Sequence, residues 1–411
     1  MHPLNTGGKL RTYNILHEIS RRHRISYMTL ADPHQSADWK PKASEYCSEV
    51  IEIPWVDPSQ SPRTRYAAIT CNMLLSGYPF AVEKYASQEM REAILQLANR
   101  FDLVVCDFLA PSLNVTEIGA PSILLQHNVE SQIWERHYKT ATGIKKYLFK
   151  IQWKRMLRYE SSACRKFDAI VAVSHNDLNM LRKKFHLKNT IGCIPTGVDT
   201  DYFQPTAEIP SRPHHLVFTG SMDWLPNEDA VLYFMKEIYP KIKKKIPDVT
   251  FTIAGRAPSQ CVRFLQDNDF SVTVTGTVQD IRPYLSEAAL VIVPLRIGGG
   301  TRIKIFEAMA MGVPVLSTAI GAEGLQIKNG HHLILADEPI AFAAAVVDLL
   351  QDPIRSRRLK RNALKLVRDH YGPARAGIAF EDICFKILGN QKPIDPRKMQ
   401  LLRNRSTVTV S

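Results

Sequence analysis

One stretch, Leu290 to Leu325 (LVIVPLRIGGGTRIKIFEAMAMGVPVLSTAIGAEGL), limits what this chain can fold into more than any other. Its opening run, Leu290 to Leu295, has the length and apolarity of a strand buried on both faces. Gly298, Gly299, Gly300 and Thr301 follow. From Arg302 the apolar positions Ile303, Ile305, Phe306, Met309 and Ala310 recur at helical spacing up to Gly312. Thr301 is the predicted N-cap and Gly312 the predicted C-cap. Pro314 to Thr318 reads as the next strand, which closes a strand–loop–helix–strand unit. Parallel strands need such a crossover, so the chain is α/β.

The loop of that unit suits an anion. Glycines lack Cβ, so the backbone can fold into a nest with its N–H groups facing one way. The helix behind it adds free amides and the positive end of its dipole. Arg302 and Lys304 bring two cations into the first turn, where the dipole favours acids; that costs ~0.3 kcal/mol or more each unless an anion lies over them. Glu307, one turn on, is acceptor-only and suits paired sugar hydroxyls. Phosphate at the tip with a ribose or hexose beside it, a nucleotide sugar, meets all three conditions. A Gly-rich turn before an ordinary amphipathic helix with a solvated charged face is the other reading, and the Arg/Lys pair weighs against it.

Glu307-Ala308-Met309-Ala310-Met311-Gly312-Val313-Pro314-Val315 resembles the donor-binding segment of retaining glycosyltransferases of family 4, the GT-B group. Those proteins carry a Glu-x7-Glu pattern whose first glutamate would fall at Gly299 here. Gly-Gly-Gly-Thr-Arg-Ile-Lys resembles a branch in which backbone amides with an Arg and a Lys replace that glutamate. The resemblance implies two doubly wound Rossmann-like domains facing across a cleft, with a C-terminal helix crossing back to the first. It makes Glu307 a ribose ligand, and Arg302, Lys304 and the amides of Gly299, Gly300 and Thr301 the diphosphate site.

A chain of 411 residues exceeds one ordinary core and fits two domains of about 200 residues. With 45% hydrophobic and 23% charged residues it has a globular, soluble profile. No apolar run reaches the ~18 residues of a spanning helix, and no signal peptide is legible at the start. Seven cysteines are scattered without metal-ligand spacing, which suits reduced thiols in a cytosol; neither metal nor cofactor is expected. The formal charge of +13 asks for an anionic partner, and no nucleic-acid-binding motif is present. Between Lys139 and Lys166 nine Lys/Arg face one acid, Glu160, with Tyr147, Leu148, Phe149, Ile151, Trp153, Met156, Leu157 and Tyr159 interleaved. That pattern reads either as a basic amphipathic helix lying on an anionic membrane or as a core helix with a solvated basic face.

The first domain is expected over residues 1–205. It opens on a Gly7-Gly8 loop entering a helix, with no strand ahead of it. In the family a strand precedes this loop, and the loop lies on the acceptor side. Either the start lies further upstream, or the first sheet lacks a central strand and leaves backbone groups unpaired. Strands are predicted at Ile25–Ala31, Phe101–Phe108, Ser122–Gln126, Ala169–Ser174 and Ile191–Pro195. His127 follows the third of these, where open α/β sheets place ligands. By itself it reads as a satisfied loop residue or a ligand; the resemblance makes it the histidine that contacts the donor sugar. Thr196-Gly197-Val198-Asp199 through Phe203 resembles the signature that ends the first domain, and the Pro-rich 204–214 is a linker.

The second domain is expected over 214–370. Gly220 and Ser221 stand where the family grips the diphosphate, and Val278 falls in its base-binding turn. Residues 371–388 should form the crossover helix, and the basic tail 389–411 is expected to be disordered. The implied activity is transfer of a sugar, with retention, from a nucleotide diphosphate sugar to a saccharide or lipid-linked acceptor. That work is expected in cell-surface polysaccharide or glycolipid synthesis, in the cytoplasm or on the inner face of the membrane. Rival readings are an epimerase on the same fold, with Glu130 or Glu323 as acid/base, and a non-catalytic nucleotide-sugar-binding or membrane-scaffold protein.

Overall fold

Short apolar strands, six of them buried along their whole length, build two parallel sheets in this computed structural model, which describes residues 7–33, 39–59, 61–194, 197–206, 208–298, 303–389 and 406–410. The chain divides into two compact units, residues 1–195 with 374–411, and residues 196–373.

The second unit is the simpler. Its strands are β7 (His215–Thr219), β8 (Thr250–Ala254), β9 (Val272–Gly276), β10 (Leu290–Val293), β11 (Val315–Ser317) and β12 (Ile334–Leu335), in the order β12-β11-β10-β7-β8-β9. Every pairing is parallel. β7 and β10 bury every residue, as a central strand covered by helices on both faces must. Helix Ile303–Ala310 connects β10 to β11 and ends as the glycine predicts: Gly312 has φ +67°, and the Val313 N–H reaches back to Ala308 O at 2.9 Å. The helical segment after β7 is interrupted. It runs as Leu225–Tyr233, a π-turn Phe234–Ile238 and Tyr239–Lys243, with Pro240 removing an N–H from the ladder.

The first unit holds β1 (Arg24–Ala31), β2 (Glu49–Pro54), β3 (Leu103–Asp107), β4 (Ser122–Gln126), β5 (Ala169–Ala172), β6 (Thr190–Cys193) and β13 (Ser406–Val410). Their order is β2-β1-β13-β3-β4-β5-β6, again all parallel. Two expectations are corrected here. The central slot of this sheet is filled, and the strand that fills it comes from the tail expected to be disordered. Ser406-Thr407-Val408-Thr409-Val410 is β-branched at four of five positions, so it pairs on both sides: Val408 lies opposite Ser26 of β1 and Val104 of β3. With β13 in first place, both sheets share one order, 3-2-1-4-5 onward, and β7 holds the equivalent slot in the second.

Helix Pro373–Ile387 belongs to the first unit except at its first residue. It buries Ala376, Phe380 and Ile383 in a cluster with Ile15, Ile19, Ile25 and Val171, and Arg22 binds Glu381 at 2.8 Å. The basic stretch forms two helices, Glu130–Thr140 and Gly143–Lys166, separated at Ala141 and Thr142. Among the described residues, no helix is long and apolar enough to cross a membrane.

Candidate functional site

In the second unit the strand order reverses between β7 and β10, the switch point beyond whose carboxyl ends open α/β sheets place their ligands. Gly220 and Ser221 follow β7, Gly298 lies in the loop after β10, and Lys304 is in the first turn of helix Ile303–Ala310. The Lys304 ammonium donates to Asn227 Oδ1 at 2.9 Å and sits 4.1 Å from the centre of the Phe218 ring. Asn227 donates in turn to the Ser221 carbonyl at 2.8 Å. A Cβ at Gly220 would stand 2.7 Å from both Asn227 Nδ2 and Lys304 Nζ, so any side chain here would push the ammonium and the amide from their present positions. From β8, Arg256 donates to the Ser221 hydroxyl and pairs with Asp223 at 3.0 Å. Two cations from separate elements thus converge on one glycine-containing turn, an arrangement that favours a bound anion.

Glu307 is half-buried one turn beyond Lys304. Burial raises its carboxyl to about 7, and the nearby Lys304 charge opposes that rise. Val278 lies past the carboxyl end of β9, the outermost strand, two places from β7. Gly299, Gly300, Thr301 and Arg302 fall outside the described residues. Also among the described residues, no group of His, Cys, Asp and Glu has the geometry to hold a metal ion.

The first unit gathers a second cluster at the carboxyl ends of β3 and β4. His127, 4% exposed, is bonded through both ring nitrogens. Arg11 Nη1 lies 3.0 Å from its Nδ1, and Asp107 Oδ1 lies 2.5 Å from its Nε2. A guanidinium can only donate, so Nδ1 must accept, and the ring proton sits on Nε2 and points at Asp107. The other Asp107 oxygen accepts from Thr12 Oγ1 at 2.6 Å. Burial lowers the His127 pKa, with Arg11 acting in the same direction and Asp107 against it. The imidazole is therefore neutral, and a sugar contact through either nitrogen requires Arg11 or Asp107 to let go.

Phe108 stacks on that ring at 3.8 Å with φ +71°, a conformation rare for a bulky residue. A Cβ at Gly8 would come within 2.5 Å of the Phe108 ring, which explains the glycine at this helix start. Gly8 and His127 are thus brought together, as Gly220, Ser221 and Lys304 are in the other unit. Sequence reasoning missed Arg11, Thr12 and Asp107 here, and Asn227 and Arg256 there. The available signals were Arg11 and Thr12 one turn past the Gly pair, and Asp107 as the last residue of an apolar strand.

Helix Gly143–Lys166 is tied to this cluster by its one acid. Glu160 is fully buried and accepts from the Glu130 and Ser131 N–H groups at 2.8 and 3.0 Å. It caps helix Glu130–Thr140, which begins three residues past His127 and has no side-chain cap of its own at Val129. Burial raises Glu160 to about 7, against the two N–H donors.

Comparison with known proteins bears on the family and the fold. Residues 6–202 match the family described as Glycosyltransferase Family 4, and residues 213–352 match Glycosyl transferases group 1. The chain is 20% identical to an "Uncharacterized 44.6 kDa protein in cps region" of Klebsiella pneumoniae, over 90% of this chain and 94% of that one. It is 24% identical to a "GDP-mannose-dependent alpha-(1-6)-phosphatidylinositol monomannoside mannosyltransferase" of Mycolicibacterium smegmatis, over 46% of this chain and 54% of that enzyme. Among solved structures, sucrose-phosphate synthase from Thermosynechococcus elongatus superposes with a TM-score of 0.71 at 16% identity, over 93% of this chain and 94% of that one.

Proposed function

This chain belongs to the family 4 glycosyltransferases and has the GT-B fold, and we propose that it moves a sugar from a nucleotide diphosphate sugar to an acceptor hydroxyl with retention at the anomeric carbon. One observation carries the donor assignment: Lys304 is held over Phe218 and beside Gly220, one helical turn ahead of the half-buried Glu307. The diphosphate lies against Lys304, Arg302 and the amides of Gly299, Gly300 and Thr301, and Glu307 accepts from the ribose hydroxyls. Gly220 and Ser221 line the phosphates, and backbone at Val278 reads the base. The protein supplies charge stabilisation for the departing diphosphate and positioning of the two reactants. The leaving phosphate takes the acceptor's proton, so no side-chain base and no metal or cofactor is required.

On the first unit, Gly7 and Gly8 form the acceptor side, and the neutral, doubly bonded His127 holds that helix start in place. A saccharide or lipid-linked acceptor fits both relatives: one bears a name placing it in a cps region, the other acts on a phosphatidylinositol monomannoside. We assign the activity to the cytoplasmic face of a membrane, in cell-surface polysaccharide or glycolipid synthesis, with the 139–166 stretch on the anionic lipid surface. A thermal-shift screen of nucleotide diphosphate sugars against wild type, Lys304→Ala and Glu307→Ala is the direct test. One donor should raise the wild-type melting temperature, with the shift lost in Lys304→Ala and reduced in Glu307→Ala. Full transfer rates in both variants, with EDTA present or absent, would end the site assignment.

A further inference from the structure

Six of the seventeen exposed large apolar side chains among the described residues lie on two helices of the first unit. Helix Pro62–Leu75 exposes Tyr66, Leu74 and Leu75, the last two at 78% and 86%. The start of helix Gly143–Lys166 exposes Ile144 at 80%, with Tyr147 and Leu148. The two places are joined by hydrogen bonds. Arg155 donates to the Asn72 and Met73 carbonyls, both at 3.1 Å, and Gln152 Nε2 donates to Asn72 Oδ1 at 3.0 Å. Ile144, Leu148 and Arg155 follow one another at spacings of four and seven, which puts them on one stripe of the helix. Where that stripe reaches Arg155 it meets the end of helix Pro62–Leu75. Its first two turns lie ahead of that contact, and Leu74 and Leu75 directly follow the contacted Asn72 and Met73 in the other helix. The two helices carry exposed charge of one sign, and the one carboxylate that reaches their junction, Glu83, accepts from Asn72 Nδ2. Helix Pro62–Leu75 contains no acid, and the one acid of the other helix, Glu160, is buried at its far end. Lys145, Lys146, Lys150 and Lys154 stand on the same two turns and the next.

We propose that the end of helix Pro62–Leu75 and the start of helix Gly143–Lys166 form a single docking face for an anionic lipid bilayer. Leu74, Leu75, Ile144 and Leu148 enter the acyl boundary, and the four lysines meet the headgroups. The proposal rests on the membrane assignment made above and adds to it a second helix and an apolar anchor. A basic stripe alone gives binding that salt reverses; apolar side chains inserted below the headgroups give a component that salt does not remove. The tip is apolar and its rim basic, which is the complement of an anionic leaflet and not of a neutral one.

The test is cosedimentation of the full chain with vesicles of phosphatidylcholine, and of phosphatidylcholine mixed with phosphatidylglycerol. Wild type, Leu74→Ser/Leu75→Ser, the quadruple Lys→Gln variant at 145, 146, 150 and 154, and Ile354→Ser are compared. Ile354 is 74% exposed in the second unit and serves as the control. Wild type and the control should bind the anionic vesicles only. The double leucine variant should lose at least about tenfold in partitioning and become fully salt-reversible. Wild-type binding by the leucine variant, with release of the lysine variant, overturns the two-helix face and leaves the basic helix as the membrane contact. Failure of wild type to bind either vesicle overturns both. A leucine-dependent dimer in sedimentation velocity without vesicle binding also overturns the proposal. Donor binding, measured on the same samples by thermal shift, reports the transferase reading separately.

Discussion

Glu307 shows how a single side chain can carry a pH dependence of function. Its carboxyl is raised from the ordinary 4.5 to about 7 by burial. In the free protein this group favours the folded state fully below pH 4.5, and that contribution is lost as pH rises through about 7. Ribose hydroxyls donate to the charged form, so a bound donor pulls the proton off. Affinity for a nucleotide diphosphate sugar, whose phosphates do not titrate near neutrality, should therefore strengthen from pH 6 to 8, by up to about tenfold per unit below the pKa. Calorimetry across that range should give a sloping affinity for wild type and a flat one for Glu307→Gln. A flat wild-type profile would separate Glu307 from the ribose. At this scale the sequence was informative where chemistry follows from order along the chain. Gly298, Lys304 and Glu307 share one loop and helix, so their spacing alone joins them. Arg11, Asp107 and His127 meet only because β3, β4 and helix Gly7–Ile19 end together, and no spacing between positions 11, 107 and 127 records that.

Among elements, helix Gly143–Lys166 was legible as basic and amphipathic, yet its link to the site was not. The signal was present as the one carboxylate in a run of cations. It reads as an isolated surface charge until the fold shows the Glu130 and Ser131 N–H groups pointing at it. Such a group makes an element's stability depend on pH. Glu160 has a folded pKa of about 7 against 4.5 for the free side chain, so its stabilising effect is complete below 4.5 and fades as pH rises through 7. A shift of this size corresponds to ~3 kcal/mol between the two limits. Glu160→Gln keeps one acceptor for the helix cap and cannot ionise. Urea midpoints of the first unit should fall between about pH 5 and 8 in wild type and fall less in the variant. Parallel curves would show that Glu160 does not titrate in this window. The exposed leucines of helix Pro62–Leu75 were hidden in the sequence for the opposite reason: apolar residues at a helix end read as core until their neighbours are known.

On the scale of the whole molecule, both sheets place a strand at the switch point and hang their site residues on its neighbours. In the second unit β7 runs straight into the Gly220 turn, so strand and site are continuous in sequence. In the first unit the equivalent strand is β13, almost the full chain length from the Gly8 helix start. Periodicity marked the β-branched segment too weakly to distinguish five residues of strand from a polar tail. No local rule tells a tail to thread between β1 and β3. The consequence is that β3, and with it Asp107, depends on backbone pairing with residues 407–410. Val408→Pro removes an N–H from the middle of that ladder and orphans a buried carbonyl, at a cost of ~1–3 kcal/mol before any loss of packing. Hydrogen exchange should then show reduced protection in β1, β3 and β4, with β7, β8 and β10 unchanged. Donor binding, which draws on the second unit, should persist while transfer falls. Because Asp107 accepts the His127 Nε2 proton that the Arg11 contact at Nδ1 places there, the loss should follow the loosening of β3 and not a change in donor affinity. Unchanged protection across the first sheet would mean that Ser406–Val410 does not hold the central slot in solution, and that the Asp107–His127 pair is supported by some other strand.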